Sequence, residues 1–596
     1  MKCHPSFQAY NTLMKMTEFA KYLQRLEDTP KRLEITDILC DLIKKLTPHE
    51  VDKAIYLSLG TLKAPYENPK FNIADKMMIK ILTFAYERKD IVQLYDKMGD
   101  LGNVALEIAP KITSKLEIEG VYKHLTELAQ VEGTGSQDTK VKLTTELMKQ
   151  LDPLSVKFVV RIILGTTRLG FTELTIIDSL SMLLTNDKSQ SEKIEKIYNI
   201  HPDMGLIAKK VKEKGMNGVK DIKIETGVPI LAQKCQRLAD TEEIIEKMGR
   251  VWAEFKFDGT RVQTHVDRTK KLMSKSTEQT DKTFIKTFTR NQEETTHQYP
   301  DIALALDKQV DAQSVILDGE AVGIDKKTGR FLPFQEIMQR KRKHDIAEIV
   351  GDIPLKYFVF DILYLNGKDL TEKTLTERRA LLKSVIKNGN VITVDSHIET
   401  AFADELEEFF EEAKKKHLEG LIVKKPDSVY QAGARSFAWV KLKKADEKLK
   451  QLRDTMDVVV LGYYFGRGER TKFGIGKFLA GIYDEKEDKF KTFTKVGTGL
   501  TDEQLREFKV RADKLKTSEK AKNIELNSVY VPDIWVLPKM VVEIGGDEIS
   551  QSGTHTAGYA LRFPRLIKFR DDKNAAGCTT LKEITDLYKT QKRGYY

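Results

Sequence analysis

Three charged residues, Glu254, Lys256 and Asp258, stand in a run at 251–259 whose other side chains are apolar and which ends at Gly259. The two-residue alternation of this run predicts a β-strand with one core face and one face carrying Glu254, Lys256 and Asp258. A second alternating run at 261–266 predicts that the two strands form a hairpin. An amine beside carboxylates can supply a nucleophile and metal ligands, although a solvated Glu/Lys ladder on a surface strand shows the same pattern.

Further chemical groups recur at the ends of other β-like runs. They are Asp318 and Glu320 in SVILDGEAVG, Phe360 at the end of YFVF, Glu419 before LIVKK, and Trp439, Lys441 and Lys443 in WVKLK. Each alone fits a turn, a helix end or a sheet edge. Together they provide an amine nucleophile, separate carboxylates for a divalent metal, lysines for phosphate charge and an aromatic ring for a base. This set fits nucleotidyl transfer.

The elements that must position these groups change in character twice along the chain of 596 residues. Residues 1–215 look helical, with start signals such as Asp152-Pro153. Residues 216–447 alternate short β-rich runs with helical ones, and residues 448–596 consist mainly of short strands between glycine-containing turns. We therefore predict a multidomain protein with an all-α domain, an α+β domain and a small β-barrel.

The charge of the chain is compatible with several classes of protein. The 99 Lys and Arg residues against 89 Asp and Glu give a net charge of +10, which suits a polyanionic partner but also many housekeeping enzymes.

The cysteines and the apolar runs give expectations about metal sites and location. The four cysteines, Cys3, Cys40, Cys235 and Cys578, form no C-x-x-C pair, so we expect neither a zinc site nor a disulfide framework. We see no signal peptide and no membrane-spanning run, and expect a cytoplasmic, nucleoid-associated protein.

Six motifs follow one another in a characteristic order. They are K-x-D-G-x-R from Lys256, DGE from Asp318, FDILYLNG from Phe360, EGLIVKK from Glu419, WVKLKK from Trp439 and GYALRFPRLIKFRDDK at 558–573. This order resembles the ATP-dependent DNA ligases of the archaeal and eukaryotic replicative type. EGTGSQDTK (132–140) and RIILGTTRLG (161–170) are similar to the helical DNA-binding domain of those ligases.

The resemblance implies a fold and an activity. The three domains would be an all-α DNA-binding domain, an α+β nucleotidyltransferase (adenylation) domain and an OB-fold β-barrel. The enzyme would seal nicks in duplex DNA with ATP and Mg²⁺, or Mn²⁺ as an alternative, in replication, repair and recombination. The reaction would pass through a lysyl-AMP intermediate, AMP transfer to the 5′-phosphate, and attack by the 3′-hydroxyl.

The resemblance also implies which residues carry the chemistry. Lys256 would attack the α-phosphate of ATP as a neutral amine and store the adenylate. Asp258 would serve the later sealing step. Glu320 and Glu419 would hold the metal, because a hard cation prefers oxygen ligands.

Binding residues follow from the same resemblance. Glu254 would recognise adenine and Phe360 would stack on it. The residues implied at the ribose and the phosphates are Arg261, Glu320, Arg290, Arg435, Lys441 and Lys443. In the tail, Arg570 and Lys573 would engage the leaving pyrophosphate. The implied DNA contacts are Gly135, Ser136, Arg168 and Gly170.

Two segments depart from the family pattern or allow a second interpretation. Arg290 follows an unusually long segment, Arg268 to Thr287, and keeps its place only if that segment forms an extended hairpin. The basic run Arg340 to Lys343 could be a nuclear signal, but we favour an element of the catalytic fold. His265 and His417 lack metal-ligand spacing.

Other functions account for fewer of these features. mRNA capping guanylyltransferases and RNA ligases share the lysine motif but do not explain EGTGSQDTK, and NAD-dependent ligases should carry a cysteine zinc site. An inactive DNA-binding or clamp-associated scaffold should have lost a motif residue, and none is lost. We expect nicked duplex DNA as the partner and a monomer as the working form, with recruitment by a sliding clamp left open.

Overall fold

The computed structural model describes residues 13–270, 283–332, 337, 353–387, 389–416, 418–443 and 455–593. Cys3, the basic run Arg340 to Lys343, His417 and residues 271–282 of the long segment before Arg290 lie outside the described residues. The chain divides into two compact units. The first joins Met1–Ile81 to Ala109–Lys444, and the second joins Leu82–Ile108 to Ala445–Tyr596.

The N-terminal region is helical, as predicted. Its described helices are α1 Met16–Glu27, α2 Arg32–Lys45, α3 Val51–Leu59, α4 Asp75–Tyr86, α5 Ile91–Met98, α6 Leu101–Ile108, α7 Ile118–Ala129, α8 Ser136–Met148, α9 Pro153–Ile163, α10 Glu173–Thr185, α11 Ser191–Ile200 and α12 Met204–Lys220. The predicted start of α9 is confirmed, because the Asp152 side chain accepts a hydrogen bond from the Ser155 backbone N–H. Amphipathic helices with apolar inner faces build this core, and no strand lies among the described residues 13–220.

The rest of the first unit contains two sheets and the helices that cover them. The strands are β1 Lys234–Arg237, β2 Val251–Lys256, β3 Thr260–Asp267, β4 Phe284–Thr289, β5 Ser314–Gly323, β6 Leu355–Leu365, β7 Lys368–Asp369, β8 Ile392–Val394, β9 His397–Thr400, β10 Gly420–Lys424 and β11 Arg435–Lys443. The helices are α13 Thr241–Met248, α14 Pro300–Gln309, α15 Leu375–Val385 and α16 Ala403–Lys415. One sheet has the order β1-β11-β10-β2-β9, and the other has the order β4-β3-β5-β6-β7 with β8 alongside β6.

The predicted hairpin between β2 and β3 is wrong, because the two strands belong to different sheets. β2 lies between β10 and β9, so Trp252 and Glu254 on its second face are buried as well. Gly259 lies where the chain passes to the second sheet, and a Cβ atom there would come 2.5 Å from the Ala321 carbonyl oxygen. The glycine is therefore needed for close approach to β5 rather than for a hairpin turn.

Polar side chains of β3 hold the segment that leads from the helices into the first sheet. Asp267 accepts a hydrogen bond from Thr226, and Gln263 exchanges two hydrogen bonds with the backbone of Ile230. His265 accepts one from the Gly227 N–H at 3.0 Å. Burial, with nearby lysines, lowers the pKa of His265 to about 3, so the ring stays neutral and structural.

The second unit is rich in strands, as predicted for the C-terminal residues. Its strands are β12 Met456–Tyr464, β13 Lys477–Asp484, β14 Lys489–Val496, β15 Lys516–Thr517, β16 Ile524–Glu525, β17 Ile534–Val536, β18 Val541–Gly545, β19 Glu548–Gln551, β20 Tyr559–Arg562 and β21 Arg565–Phe569. Helices α17 Asp502–Asp513 and α18 Leu581–Arg593 accompany them. Most of the strands form one sheet around a core that includes Phe478, Phe493 and Phe508.

The second unit also includes α5 from the N-terminal region. The Arg467 guanidinium lies 3.8 Å from the centroid of the Tyr95 ring, and its Nη1 donates a hydrogen bond to the Tyr95 carbonyl oxygen at 3.1 Å. The Gly468 N–H donates to the Gly99 carbonyl oxygen at 3.3 Å. Residues from two distant parts of the chain therefore share one packed unit.

Candidate active site

Three neighbouring strands bring Lys256, Glu419 and Lys443 together. Gly420, the first residue of β10, lies opposite Lys256 of β2 on one side and Lys443 of β11 on the other. The Glu419 N–H donates to the Lys256 carbonyl oxygen at 3.0 Å. Glu419 Oε2 lies 2.5 Å from Lys256 Nζ and 3.0 Å from Lys443 Nζ. The sheet register therefore places one carboxylate between two amines.

The electrostatics of this cluster favour an ionised carboxylate among cations. Burial acts to raise the pKa of Glu419, but the charges and hydrogen bonds of Lys256 and Lys443 outweigh it and lower that pKa. Lys441 lies on the same strand as Lys443, and burial followed by repulsion from Lys443 lowers the pKa of Lys441. Lysines outnumber carboxylates here, so the cluster attracts anions such as phosphate.

Arg261 is held by a buried carboxylate. Its Nε and Nη2 donate to Asp318 Oδ1 and Oδ2 at 3.0 and 2.6 Å, and Nη1 donates to the Gln233 carbonyl oxygen at 2.7 Å. Tyr430 also donates to Asp318 Oδ2, at 3.0 Å. Burial acts to lower the pKa of Arg261, but the Asp318 charge raises it overall, so the guanidinium is a fixed cation.

Glu320 lies directly opposite Arg261 in the pairing of β5 with β3. Burial raises the pKa of Glu320 to about 8, against the lowering effect of Lys256 and Arg261, and the Glu419 charge adds to the rise. In the described part of the chain, no group of three or more His, Cys, Asp or Glu residues could hold a metal ion. Mg²⁺ is commonly bound by one or two carboxylates together with substrate phosphates, so Glu320 and Glu419 fit a cation that arrives with a nucleotide.

Phe360 and Glu254 lie next to a buried lysine. The Phe360 ring meets the Trp439 ring edge-on, with centroids 6.0 Å apart, and Lys424 Nζ lies 4.5 Å from the Phe360 centroid. Glu254, at 2% exposure, is ion-paired with Lys424 at 2.5 Å and with Arg379. Sequence reasoning missed both cations. Lys424 directly follows the apolar run LIV, which was a signal, but Arg379 stands beside other charged residues in TERRALLK and has no such signal.

The structure places Arg290 beside Arg261. β3 and β4 pair without a break in register from Asp267 opposite Phe284 to Val262 opposite Thr289, while most of the added segment that was expected to extend this hairpin, 271–282, lies outside the described residues. Arg290 follows directly and lines one cleft with Arg261.

The remaining predicted residues of the first unit lie at strand ends. Asp258 lies in the bend between β2 and β3, and Arg435 is the exposed first residue of β11. The Arg435 charge contributes to lowering the pKa of Lys441, after burial and two lysines. The sheet therefore brings Arg435 within electrostatic range of the lysine cluster.

The predicted tail residues share an aspartate in the second unit. Arg570 Nη1 lies 2.9 and 3.0 Å from the two carboxylate oxygens of Asp457, and Lys573 Nζ lies 2.5 Å from Asp457 Oδ2. Arg570 Nη2 also donates to Asp572 Oδ2 at 2.7 Å. Sequence reasoning missed Asp457, although an aspartate at the start of the apolar run DVVVLG was a visible signal.

The predicted DNA contacts lie in two open turns of the helical region. Gly135, with φ 80°, caps α8, which begins at Ser136, and Gly170, with φ 73°, lies shortly before α10. A Cβ atom at either glycine would meet nothing within 4 Å. Arg168 is exposed beside Gly170. The backbone of both turns is therefore accessible to a large ligand.

Comparisons with known proteins cover nearly the whole chain. Three family models match: DNA ligase N terminus over residues 15–181, ATP dependent DNA ligase domain over 229–443, and ATP dependent DNA ligase C terminal region over 471–573. A probable DNA ligase of Dictyoglomus turgidum is 40% identical over 590 residues, which is 97% of this chain and 98% of that protein. A DNA ligase of Sulfolobus acidocaldarius is 36% identical over 607 residues, with the same coverage of 97% and 98%.

The fold has a solved counterpart. The structure named Pmar-Lig_PreS3 matches with a TM-score of 0.54 at 18% identity, covering 93% of this chain and 99% of that chain. At this identity the match concerns the fold alone.

Among the described helices, none has both the length and the apolar character that crossing a membrane requires.

Proposed function

The chain belongs to the ATP-dependent DNA ligase family, and from this membership we propose that the residues around Lys256 seal nicks in duplex DNA. Members of the family use ATP and a divalent cation, and act in DNA replication and repair. The observation that carries the proposal is the pairing of β2, β10 and β11, which sets Lys256, Glu419 and Lys443 side by side. We propose residues 1–215, 216–447 and 448–596 as the DNA-binding, adenylation and OB-fold domains.

In the first step the Lys256 amine attacks the α-phosphorus of ATP. An N–P bond forms, the bond to the β-phosphate oxygen breaks, and pyrophosphate leaves. The amine must first lose a proton to solvent. Lys443 shares the Glu419 carboxylate with it, and Lys441 lies two residues away from Lys443 on the same strand. Glu419 holds the ammonium group until the proton is lost, at 2.5 Å. The same two lysines offset negative charge on the phosphates.

The residues around Lys256, Lys441 and Lys443 would bind the nucleotide. Glu254 accepts a hydrogen bond from the adenine amino group and Phe360 stacks on the ring. Arg261 and Glu320 face the ribose. The cations that we assign to the phosphates are Arg290, Arg435, Lys441 and Lys443. The fixed guanidinium of Arg261 and its cleft with Arg290 support this arrangement.

Glu320 and Glu419 would hold the divalent cation, Mg²⁺ or Mn²⁺. When bound, the cation offsets the negative charge that develops on the phosphate oxygens. Glu320, whose pKa is raised to about 8 by burial, would bind the cation in its ionised form.

The two later steps use the nick. An oxygen of the 5′-phosphate attacks the adenylate phosphorus, the N–P bond to Lys256 breaks, and the 3′-hydroxyl then attacks the 5′-phosphorus and releases AMP. We assign Asp258 to these steps, since it follows the nucleophile by two residues. Gly135, Ser136, Arg168 and Gly170 would contact DNA phosphates.

The second unit would act mainly in the first step. We propose that its large curved sheet is an OB-fold and that Arg570 and Lys573 face the pyrophosphate as it leaves. The Asp457 carboxylate orients both cations, as the distances of 2.5 to 3.0 Å support.

Labelled nucleotides test the function directly. We expect the chain to become labelled by α-labelled ATP in the presence of Mg²⁺, and the label to move to nicked DNA in a chase. Labelled NAD should leave the protein unlabelled, and chelation of Mg²⁺ should prevent labelling by ATP. Labelling by NAD, or label that nicked DNA cannot remove, would contradict the proposal.

The exposed turns at Gly135 and Arg168 lead us to expect DNA binding that weakens as the salt concentration rises. We expect Arg168→Ala to weaken binding to nicked duplex uniformly across sequences and to reduce the slope of log K against log salt by about one, since one phosphate contact is lost. The measurement is a fluorescence titration at several salt concentrations. The control is Lys196→Ala, an exposed residue paired with Glu192 on α11, and an equal change in that control would argue against a contact at Arg168.

A further inference from the structure

Glu254 contacts two buried cations, Arg379 and Lys424, and the Asp395 carboxylate is buried close to both of them. Glu254 Oε1 accepts a hydrogen bond from Arg379 Nη2, and Glu254 Oε2 lies 2.5 Å from Lys424 Nζ. Arg379 and Lys424 are 2% and 1% exposed. A carboxylate oxygen can accept more than one hydrogen bond, so both oxygens keep acceptor capacity after these pairings.

Each cation is held in place by a second element. Arg379 comes from α15, and its Nη1 donates to the Asp395 carbonyl oxygen at 2.9 Å. Lys424 ends β10, and its ammonium lies 4.5 Å from the centroid of Phe360 and 4.3 Å from that of Trp439. Lys424 therefore connects Glu254 to the ring that we propose stacks on adenine.

Burying these cations is costly, and packing does not require it. Removing a charged group from water costs several kcal/mol, and apolar residues of similar volume often stabilise such sites as well or better. Burial lowers the pKa of Lys424 to about 7, with further lowering by Arg379. Both cations contact the Glu254 carboxylate, so what they supply at this position is charge next to Glu254 and not packing alone.

We propose that Arg379 and Lys424 are positioning residues that fix the Glu254 carboxylate as an acceptor for the exocyclic amino group of adenine, and thereby select adenine over guanine. The inference rests on the proposed role of Glu254. Adenine presents an amino donor where guanine presents a carbonyl oxygen. A fixed ionised carboxylate attracts the first and repels the second. Sites that hydrogen-bond a substrate group discriminate strongly against analogues that lack it.

The test compares nucleotides that differ only at this group. Full-length enzyme is adenylated with ATP, with purine riboside triphosphate, which lacks the amino group, and with GTP, and kcat and KM are measured for each. In Lys424→Met we expect KM for ATP to rise about tenfold while kcat/KM for the purine analogue changes by less than about twofold. GTP should become a better substrate relative to ATP.

Three further variants separate positioning from loss of structure. Arg379→Gln should reproduce the loss of preference, and Arg379→Lys, which keeps a cation, should retain most of it. Lys383→Met, an exposed lysine one turn further along α15, should behave as wild type. Because two different cations are removed separately, one variant that fails to fold leaves the other as the test.

Three outcomes would overturn the inference. An unchanged preference for ATP over the purine analogue in Lys424→Met and Arg379→Gln would show that the cations do not position Glu254. An equal fall for all nucleotides, accompanied by slower sealing of a pre-adenylated nick, would show a structural role only. If Glu254→Gln itself leaves the preference unchanged, the proposed contact between Glu254 and adenine is wrong, and the inference fails with it.

Discussion

Lys256→Ala is expected to abolish the ATP-labelled enzyme and to slow ligation from ATP by at least about 10⁴-fold, because the attacking group is lost. A second amine lies close by, since Lys443 Nζ is 3.0 Å from the same Glu419 oxygen that Lys256 contacts. We expect Lys443 not to substitute, because reaction requires the nucleophile in line with the leaving group and a displaced amine loses that geometry. Labelling of denatured protein and mapping of the labelled peptide measure the result.

Lys247→Ala is the control for this variant, since Lys247 forms an i,i+4 pair with Glu243 on α13. It should label and ligate as wild type. Lys256→Ala should still seal a pre-adenylated nick at a measurable rate, because the first step has been bypassed. A label found on Lys443, or normal labelling of Lys256→Ala, would show that the nucleophile is wrongly assigned.

The double variant Arg570→Ala with Lys573→Ala is expected to separate the steps. Both cations are held by Asp457 at 2.5 to 3.0 Å, so we propose that they act as one oriented pair. Their loss should slow adenylation of Lys256 by about 10³-fold, because stabilisation of the leaving pyrophosphate disappears. Sealing of a pre-adenylated nick should remain within about threefold of wild type, since no pyrophosphate leaves in that step.

Other variants test whether the slow step is adenylation or sealing. Asp258→Ala and Glu419→Ala should be slow on the pre-adenylated nick, and Lys568→Ala, an exposed lysine on the same strand as the tail motif, should behave as wild type. Thermal unfolding of each variant excludes a general loss of structure. A double variant that labels normally but cannot seal the pre-adenylated nick would show that Arg570 and Lys573 grip DNA instead.

The character of each region and several of its strands could be predicted from the sequence, but the pairing of the strands could not. Alternation identified β2 and β3 because each repeats locally with a period of two. Nothing local indicated that β2 pairs with β10, more than 150 residues later, and the turn at Gly259 suggested a hairpin that the structure does not contain. Strand pairing depends on long-range contacts that leave no mark on either strand alone.

The same limit applies to the candidate site. Lys256 and Glu419 could be predicted because they lie in short motifs at strand ends, where resemblance is easy to detect. Arg379 and Lys424 could not, because a buried charge and a solvated one look alike in sequence until their partners are known. Asp457 was missed although it begins an apolar run. The cations next to Glu254 come from an α-helix and a strand that are far from it in the chain.

The packing of Arg467 on Tyr95 has a consequence for biosynthesis. The two residues are 372 positions apart, yet both belong to the second compact unit. Ribosomes add about 5–20 residues per second, so α5 waits roughly 20–70 s for its partner to be made. During that interval the ring of Tyr95 is without its native covering cation. Nascent chains halted before residue 467 should therefore show faster proteolysis around α5 than the finished protein does.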